Sequence, residues 1–201
     1  MYSFSEIETT SKRASKAVGY SWGMAEEIGK ATSSLEYFGL QGVKNLNLYF
    51  DIVKKRHPKK ISKIERENDD DELCPIYCGV AFLDQAQEIE LLREITFYNL
   101  SYPILILAFI SKASELLGKR ILIKFANSSF LMNFNKSILA KNLDSQVIVS
   151  AKEICIEILD NEDSFSSNEW EELFKLSEKT LVEESDSLKE KGAGAGLLDN
   201  D

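Results

Sequence analysis

The sequence predicts an α+β fold, with an N-terminal helical layer packed on a small, mostly antiparallel sheet. Three observations predict it. Apolar residues in the first third recur at spacings of three and four, as on one face of a helix. From residue 121 to residue 158, short β-branched runs alternate with polar residues. These strands follow one another through short connections, which favours antiparallel pairing. One helix interrupts the strands, so a mixed sheet stays open.

In chain order, Phe4, Ile7, Ser11, Ala14 and Val18 mark a first helix, capped by Ser3 or Ser5 and stopped at Gly19. Trp22, Ala25, Ile28, Leu35 and Phe38 mark a second that ends at Gly39, with Glu26 and Lys30 spaced to pair on its polar side. Val43, Leu46, Phe50 and Val53 mark a third, ended by Pro58. Residues 54–72 are charged and poor in apolar side chains, as in a surface connection. Ile76, Val80, Leu83 and Ala86 suit a short helix after Cys74-Pro75. Ile95, Phe97 and Leu100 suggest a strand, and Pro103 opens an apolar helix that runs to Leu117 and stops at Gly118. Further strands are expected at Ile121–Phe125, at Leu131 and Met132, at Val147–Val149 and at Ile154–Ile158. Trp170, Leu173, Phe174, Ser177 and Leu181 line a last helix, capped by Ser166 or Ser167. The expectation is a single domain over residues 1–201. It comprises a helical part (1–58), a charged connection (59–73), a mixed helix and strand part (74–182) and a C-terminal arm (183–201).

The chain has 201 residues and a formal charge of −9, and 44% of it is hydrophobic. That supports a real core and argues against nucleic acid or an anionic membrane as partner. The densest apolar run, Tyr102 to Ile110, is nine residues long, against the roughly 18 a membrane span needs. The N-terminus does not read as a signal peptide. Three cysteines, an odd number, suit reduced thiols in the cytoplasm. His57 is the only histidine, so a His-rich metal site within the chain is impossible and no metal is expected.

Two segments carry a resemblance. One is Gly19-Tyr20-Ser21-Trp22-Gly23-Met24-Ala25-Glu26-Glu27-Ile28-Gly29, and the other is Gly192-Ala193-Gly194-Ala195-Gly196 followed by Asp199-Asn200-Asp201. Together they resemble an uncharacterised bacterial family, a domain of unknown function of about this length. Cys74-Pro75, Gly79 and Leu83-Asp84 add a weaker match. The family has no established activity, so the resemblance implies no reaction. The chain departs from the family pattern at Glu183 to Glu190, which is acidic and lacks the Pro and Arg expected before the terminal glycines.

Four constellations are candidates for function. Cys74, placed before a helix, could be a thiol with a lowered pKa; the plainer reading is a small semi-buried residue. Its C-x3-C spacing to Cys78 has no second pair to complete a zinc site. Lys54, Lys55, Arg56, Lys59 and Lys60 could bind phosphates, but they also suit a helix C-terminus merging into a solvated loop. The terminal glycines do not form a dinucleotide fingerprint. Leu197 and Leu198 suggest that the arm docks, with Asp199 at its tip. Ser21, Trp22, Glu26 and Glu27 could line a pocket with acid–base capacity. The plainer reading makes them an N-cap serine, a core tryptophan and first-turn glutamates.

The leading functional expectation is a non-catalytic accessory or small-molecule-binding protein in the cytoplasm, without a cofactor. The alternative is an enzyme of unrecognised type, with its site where Ser21, Trp22, Glu26, Cys74 and Asp199 converge. The partner is an unknown small molecule or protein, with no nucleic acid and no membrane. The oligomeric state stays open.

Overall fold

A computed structural model describes residues 2–56, 58–69 and 72–181. The chain divides into two compact units, Met1–Asn161 and Glu162–Asp201.

The first unit opens with three helices, α1 (Phe4–Ala17), α2 (Trp22–Tyr37) and α3 (Gly42–Val53). Ser3 caps α1 in a full capping box with Glu6, which satisfies two backbone donors reciprocally. The helix lies where the spacing predicts, but the buried face differs from the predicted stripe. Of that stripe Ser11 is buried, but Phe4 and Ala14 are exposed, and Ser15, outside it, is buried. The reason lies on α2, where a Cβ at Gly29 would fall 2.7 Å from the Glu8 carbonyl oxygen. Helices this close meet through small residues, so serine and glycine take the inner positions and larger side chains move to the flanks. Gly42 repeats the device where α3 begins: its added Cβ would stand 2.7 Å from the Thr32 oxygen.

After the connection come α4 (Pro75–Asp84) and the short α5 (Ala86–Glu90). A 3-10 turn at Pro103–Ile106 runs into α6 (Leu107–Leu117), which ends on Gly118 in the left-handed conformation. From Pro103 to Ser111 every residue is buried. This segment packs on α2, α3 and α4 and also on the strands, so it separates the N-terminal helices from the sheet.

Among the described residues six strands form one sheet: β1 (Glu67–Asn68), β2 (Glu94–Ser101), β3 (Ile121–Phe125), β4 (Ser128–Asn133), β5 (Ser137–Lys141) and β6 (Ser150–Ile158). Their order is β1-β2-β6-β3-β4-β5. Only β1 pairs in parallel; all other pairs are antiparallel. Ile95, Phe97, Ile121, Ile123, Phe125, Phe130, Met132, Ile154, Ile156 and Ile158 form the covered face. The pleat changes phase in β2 and β6 together. Asn99 has φ 53°, after which Leu100 rather than Asn99 is buried, opposite the buried Ala151. Register is therefore kept across the change.

One expectation fails here, and two strands were not expected. Val147–Val149 is not a strand, and β6 begins only at Ser150. It is an irregular stretch held by Asn45, whose Nδ2 donates to the Gln146 carbonyl oxygen at 2.8 Å. β5 and β1 are additions. β5 is an edge strand with exposed or half-buried residues, and β1 is two residues long, so neither carries the alternation that marks a half-buried strand.

In the second unit, Ser166 and Glu169 form a capping box at the start of α7 (Ser167–Glu178). Its residues are exposed throughout, with Trp170 stacked on Phe165 at 5.6 Å.

Gly79 tests the packing of α4 against α6. A Cβ there would stand 2.4 Å from Phe109 Cδ2. Gly79→Ala gains ~1 kcal/mol of helix propensity, yet the overlap should leave a net loss of about 1–3 kcal/mol, read as a lower urea midpoint. An unchanged midpoint would mean that α4 and α6 do not pack this closely.

Candidate functional site

The residues singled out in the sequence separate in space. Ser21 caps α2, its Oγ accepting from the Met24 N–H at 3.2 Å. Trp22 opens the helix but is not a core residue: it is 58% exposed, with Lys16 Nζ 5.5 Å from its ring centre. Glu26 and Glu27 stand in the second turn of α2, and the first turn has no acidic residue. Glu26 pairs with Lys12 at 2.9 Å and Lys30 at 3.1 Å. Lys12 and then Lys30 hold its carboxyl below the usual range, so it is an ionised structural partner rather than a poised acid or base. Asp199 and the docking of the C-terminal arm lie outside the described residues.

Cys74 does lie in a cleft, of about 160 Å³. Val18, Gly19 and Tyr20 reach it from the turn between α1 and α2. Tyr49 and Val53 come from α3, Pro58 and Lys60 from the connection, and Cys74 and Tyr77 from the start of α4. The turn is tight because Gly19 has φ 104° and the Tyr20 N–H donates back to the Ser15 oxygen at 3.2 Å. The connection is held by backbone bonds: the Lys59 N–H donates to the Glu72 oxygen at 2.7 Å, and the Cys74 N–H donates to the Lys59 oxygen at 2.9 Å. These bonds set Lys60 and Cys74 on neighbouring strands of chain.

The floor is polar and the walls are apolar. The Tyr49 hydroxyl donates to Cys74 Sγ at 2.8 Å, and the Tyr20 hydroxyl adjoins both groups. Tyr20 stacks on Tyr77 at 6.0 Å, and Lys60 Nζ stands 4.8 Å from the Tyr77 ring centre. Burial pushes the Cys74 thiol up and outweighs the opposing Tyr49 hydroxyl and Tyr77 and Ile76 N–H groups. Burial likewise raises Tyr49 and Tyr20. The floor is therefore a set of neutral hydroxyls and a neutral thiol at pH 7, able to donate and accept hydrogen bonds. The helix dipole does not prevail at Cys74, which fits the plainer reading of a small buried residue.

The basic cluster is partly neutralised in place. Lys54 pairs with Asp51 at 3.2 Å, Arg56 pairs with Glu72 at 2.9 Å, and Lys60 turns to the cleft. His57 lies outside the described residues. Among the described residues no group of three or more His, Cys, Asp or Glu side chains could hold a metal, and no helix is long and apolar enough to cross a membrane. A larger groove, of about 340 Å³, runs between α2, α4 and α6. Its Lys30 and Lys112 are already paired with Glu27 and Glu115, so its charges are satisfied within the protein.

Tyr20, Tyr49 and Tyr77 were not legible as site residues in the sequence, whereas Lys60 stands in the basic cluster that could bind phosphates. Each tyrosine falls in or beside an apolar helix pattern and reads as core. The one signal was Tyr20 between Gly19 and Ser21, where a helix stop meets a helix cap.

The pKa directions give a test. The thiol and phenol cluster favours the protonated forms in the folded state. Its stabilising effect is full below the ordinary thiol and phenol values of 9.0 and 10.0 and is lost as pH rises through the raised folded values. The urea midpoint should fall between pH 8 and pH 10.5, with a shallower fall in the Cys74→Ala, Tyr49→Phe double variant. Iodoacetamide should label Cys74 more slowly than a free thiol at pH 7.5, as mapped by mass spectrometry. Rapid labelling at that pH would contradict a neutral buried thiol.

Residues 2–74 match the model of a family described as a protein of unknown function (DUF3726), a little over a third of the chain. No curated protein and no solved structure matches the chain. The matched stretch contains α1, α2, α3 and every residue that lines the cleft except Tyr77, so the chain carries a DUF3726 domain of unknown function at residues 2–74.

Proposed function

We propose that this protein binds a small molecule, without catalysing a reaction on it, in the cleft between α1, α3 and α4. The observation that carries this reading is the floor, where buried Tyr49 and Cys74 bond to each other beneath an open cleft. Polar groups that converge on a concave apolar site are the usual means of orienting a ligand. The partner on this reading is neither nucleic acid nor membrane. The chain carries −9 overall, and Lys54 and Arg56 in its basic cluster are engaged with carboxylates. We place the protein in the cytoplasm, where its odd number of cysteines stays reduced.

The enzyme alternative has one specific support: Cys74 lines the cleft at the start of a helix. Its thiol is held neutral, and the hydroxyls beside it are weaker bases than the thiolate they would have to generate. The residues favour a binding floor over a nucleophile.

A thermal-shift screen against a metabolite library tests the binding reading. A ligand at about a hundred times its Kd should stabilise the protein by ~2.7 kcal/mol. For a domain of this size that raises Tm by roughly 5–10 °C. Tyr49→Phe, which keeps the ring and removes the floor hydroxyl, should cut the shift by at least half. The reading is abandoned if no compound stabilises the protein, or if every hit stabilises Tyr49→Phe and Lys60→Gln as well as it does the natural chain.

A further inference from the structure

The charge and size of the cleft define the class of ligand. The nine residues that line it include one charged group, the Lys60 ammonium, and no carboxylate. This stands out in a chain that carries 33 acidic residues against 24 Lys and Arg. The other ammonium groups described above lie against carboxylates: Lys12, Lys30, Lys54 and Lys112 all have partners within 3.2 Å. Lys60 instead rests over the face of Tyr77, and among the described residues it makes no ion pair. A cation held over an aromatic ring at an exposed site is weakly held, by ring-quadrupole attraction alone. It is free to turn toward an anion in the cleft, and no neighbouring carboxylate among the lining residues competes for it.

The apolar walls fix the rest of the ligand. Val18, Val53 and Pro58 offer carbon surface with no hydrogen-bonding side chain. The volume, about 160 Å³, is close to that of a cavity of ~150 Å³ that holds benzene, and smaller than the roughly 300–1,000 Å³ of sites for larger ligands. One ring fills it. The neutral hydroxyls of Tyr49 and Tyr20 at the floor accept and donate, so they suit a hydroxyl on the ring edge opposite the anion.

From this we infer that the cleft binds a small one-ring aromatic carboxylate, with its carboxylate on Lys60, its ring between Val18, Val53 and Pro58, and any para-hydroxyl on the Tyr49–Cys74 pair. The inference rests on the binding reading above and adds the ligand class. A nucleotide or any ligand with two rings is too large, and an ammonium ligand would face Lys60 with like charge.

Three one-ring probes that share a para-hydroxyl test it on the full chain by isothermal titration calorimetry at low salt: 4-hydroxybenzoate, its neutral isostere 4-hydroxybenzamide, and cationic tyramine. The expected order is 4-hydroxybenzoate tightest, the amide about fivefold or more weaker, and tyramine without measurable binding. Lys60→Gln, at an exposed position that leaves the fold intact, should bring 4-hydroxybenzoate down to the level of the amide. Its unliganded Tm should equal that of the natural chain. Tyr49→Phe should weaken 4-hydroxybenzoate but not benzoate, which separates floor from rim. Equal binding of benzoate analogue and amide overturns the inference, as does a carboxylate preference that survives Lys60→Gln, or failure of all three probes to bind. The broader reading stands or falls separately. It survives these outcomes if a library compound of another class stabilises the natural chain and not Tyr49→Phe, and it fails with them if none does.

Discussion

The structure depends on one constraint, the complete burial of the segment from Pro103 to Ser111. This stretch has no polar face to offer solvent, so it must be covered on every side. Ile104, Leu105, Ile106, Leu107, Phe109 and Ile110 are each 2% exposed or less, and side chains of this size contribute ~1.5–3 kcal/mol each on full burial. The sheet covers one side through β3 and β4, and α2, α3 and α4 cover the others. The segment thus joins two layers that scarcely share a surface otherwise. It also explains the close approach of Gly79 to Phe109: α4 must lie flat on α6 for the cover to be complete, and only the residue without a Cβ permits that.

The cleft follows from the same arrangement. Cys74 is placed by the chain entering α4, and that chain is tied to the edge of the sheet. The Leu73 N–H donates to the Asn99 oxygen at 2.9 Å, and the Ser101 N–H donates to the Leu73 oxygen at 3.1 Å. Leu73 in turn lies beside Lys59, so the sheet edge, the connection and α4 form one backbone network. The left-handed turn of β2 at Asn99 makes this docking fit, since it swaps the faces of the strand where Leu73 arrives. On the opposite wall, the tight turn at Gly19 brings Tyr20 against Tyr77. A cleft made from four separate stretches of chain is thereby held by the fold's own hydrogen bonds.

The chemistry of that site comes from burial more than from charge. Removing Tyr20, Tyr49 and Cys74 from water favours their neutral forms, which leaves a floor rich in hydrogen-bonding capacity and poor in nucleophilicity. At the rim the Lys60 ammonium stands over the Tyr77 ring. On the proposed binding reading, a neutral polar floor and a cationic rim would discriminate among ligands by polarity at one end and sign at the other. By contrast, the ion pairs of Glu26 lie at the surface: the one with Lys12 ties α1 to α2, and the one with Lys30 stays within α2. Pairs of this kind orient helices and add little stability.

The sequence by itself determined the α+β class, the helical and strand runs with strong periodicity and the cap at Ser21, and it narrowed the cap of α7 to Ser166 or Ser167. These are local: spacing, capping and glycine stops act within a few residues, and neighbours in sequence suffice to express them. Cys74 was also legible as a candidate, from its position before Pro75. The tertiary structure alone decided how the buried face of α1 is rotated from the predicted stripe, since the close contact at Gly29 made Ser15 an inner residue beside the expected Ser11 and left Phe4 half exposed. It decided that Trp22 stands in solvent, that Val147–Val149 is irregular because Asn45 holds its neighbour Gln146, and that β1 and β5 close the sheet as edges. It also decided the site. Tyr20, Tyr49, Lys60 and Tyr77 are separated by 57 residues of chain from first to last, 77 − 20. Nothing in local spacing records that they meet, because their meeting is set by long-range packing and by backbone bonds to a sheet edge.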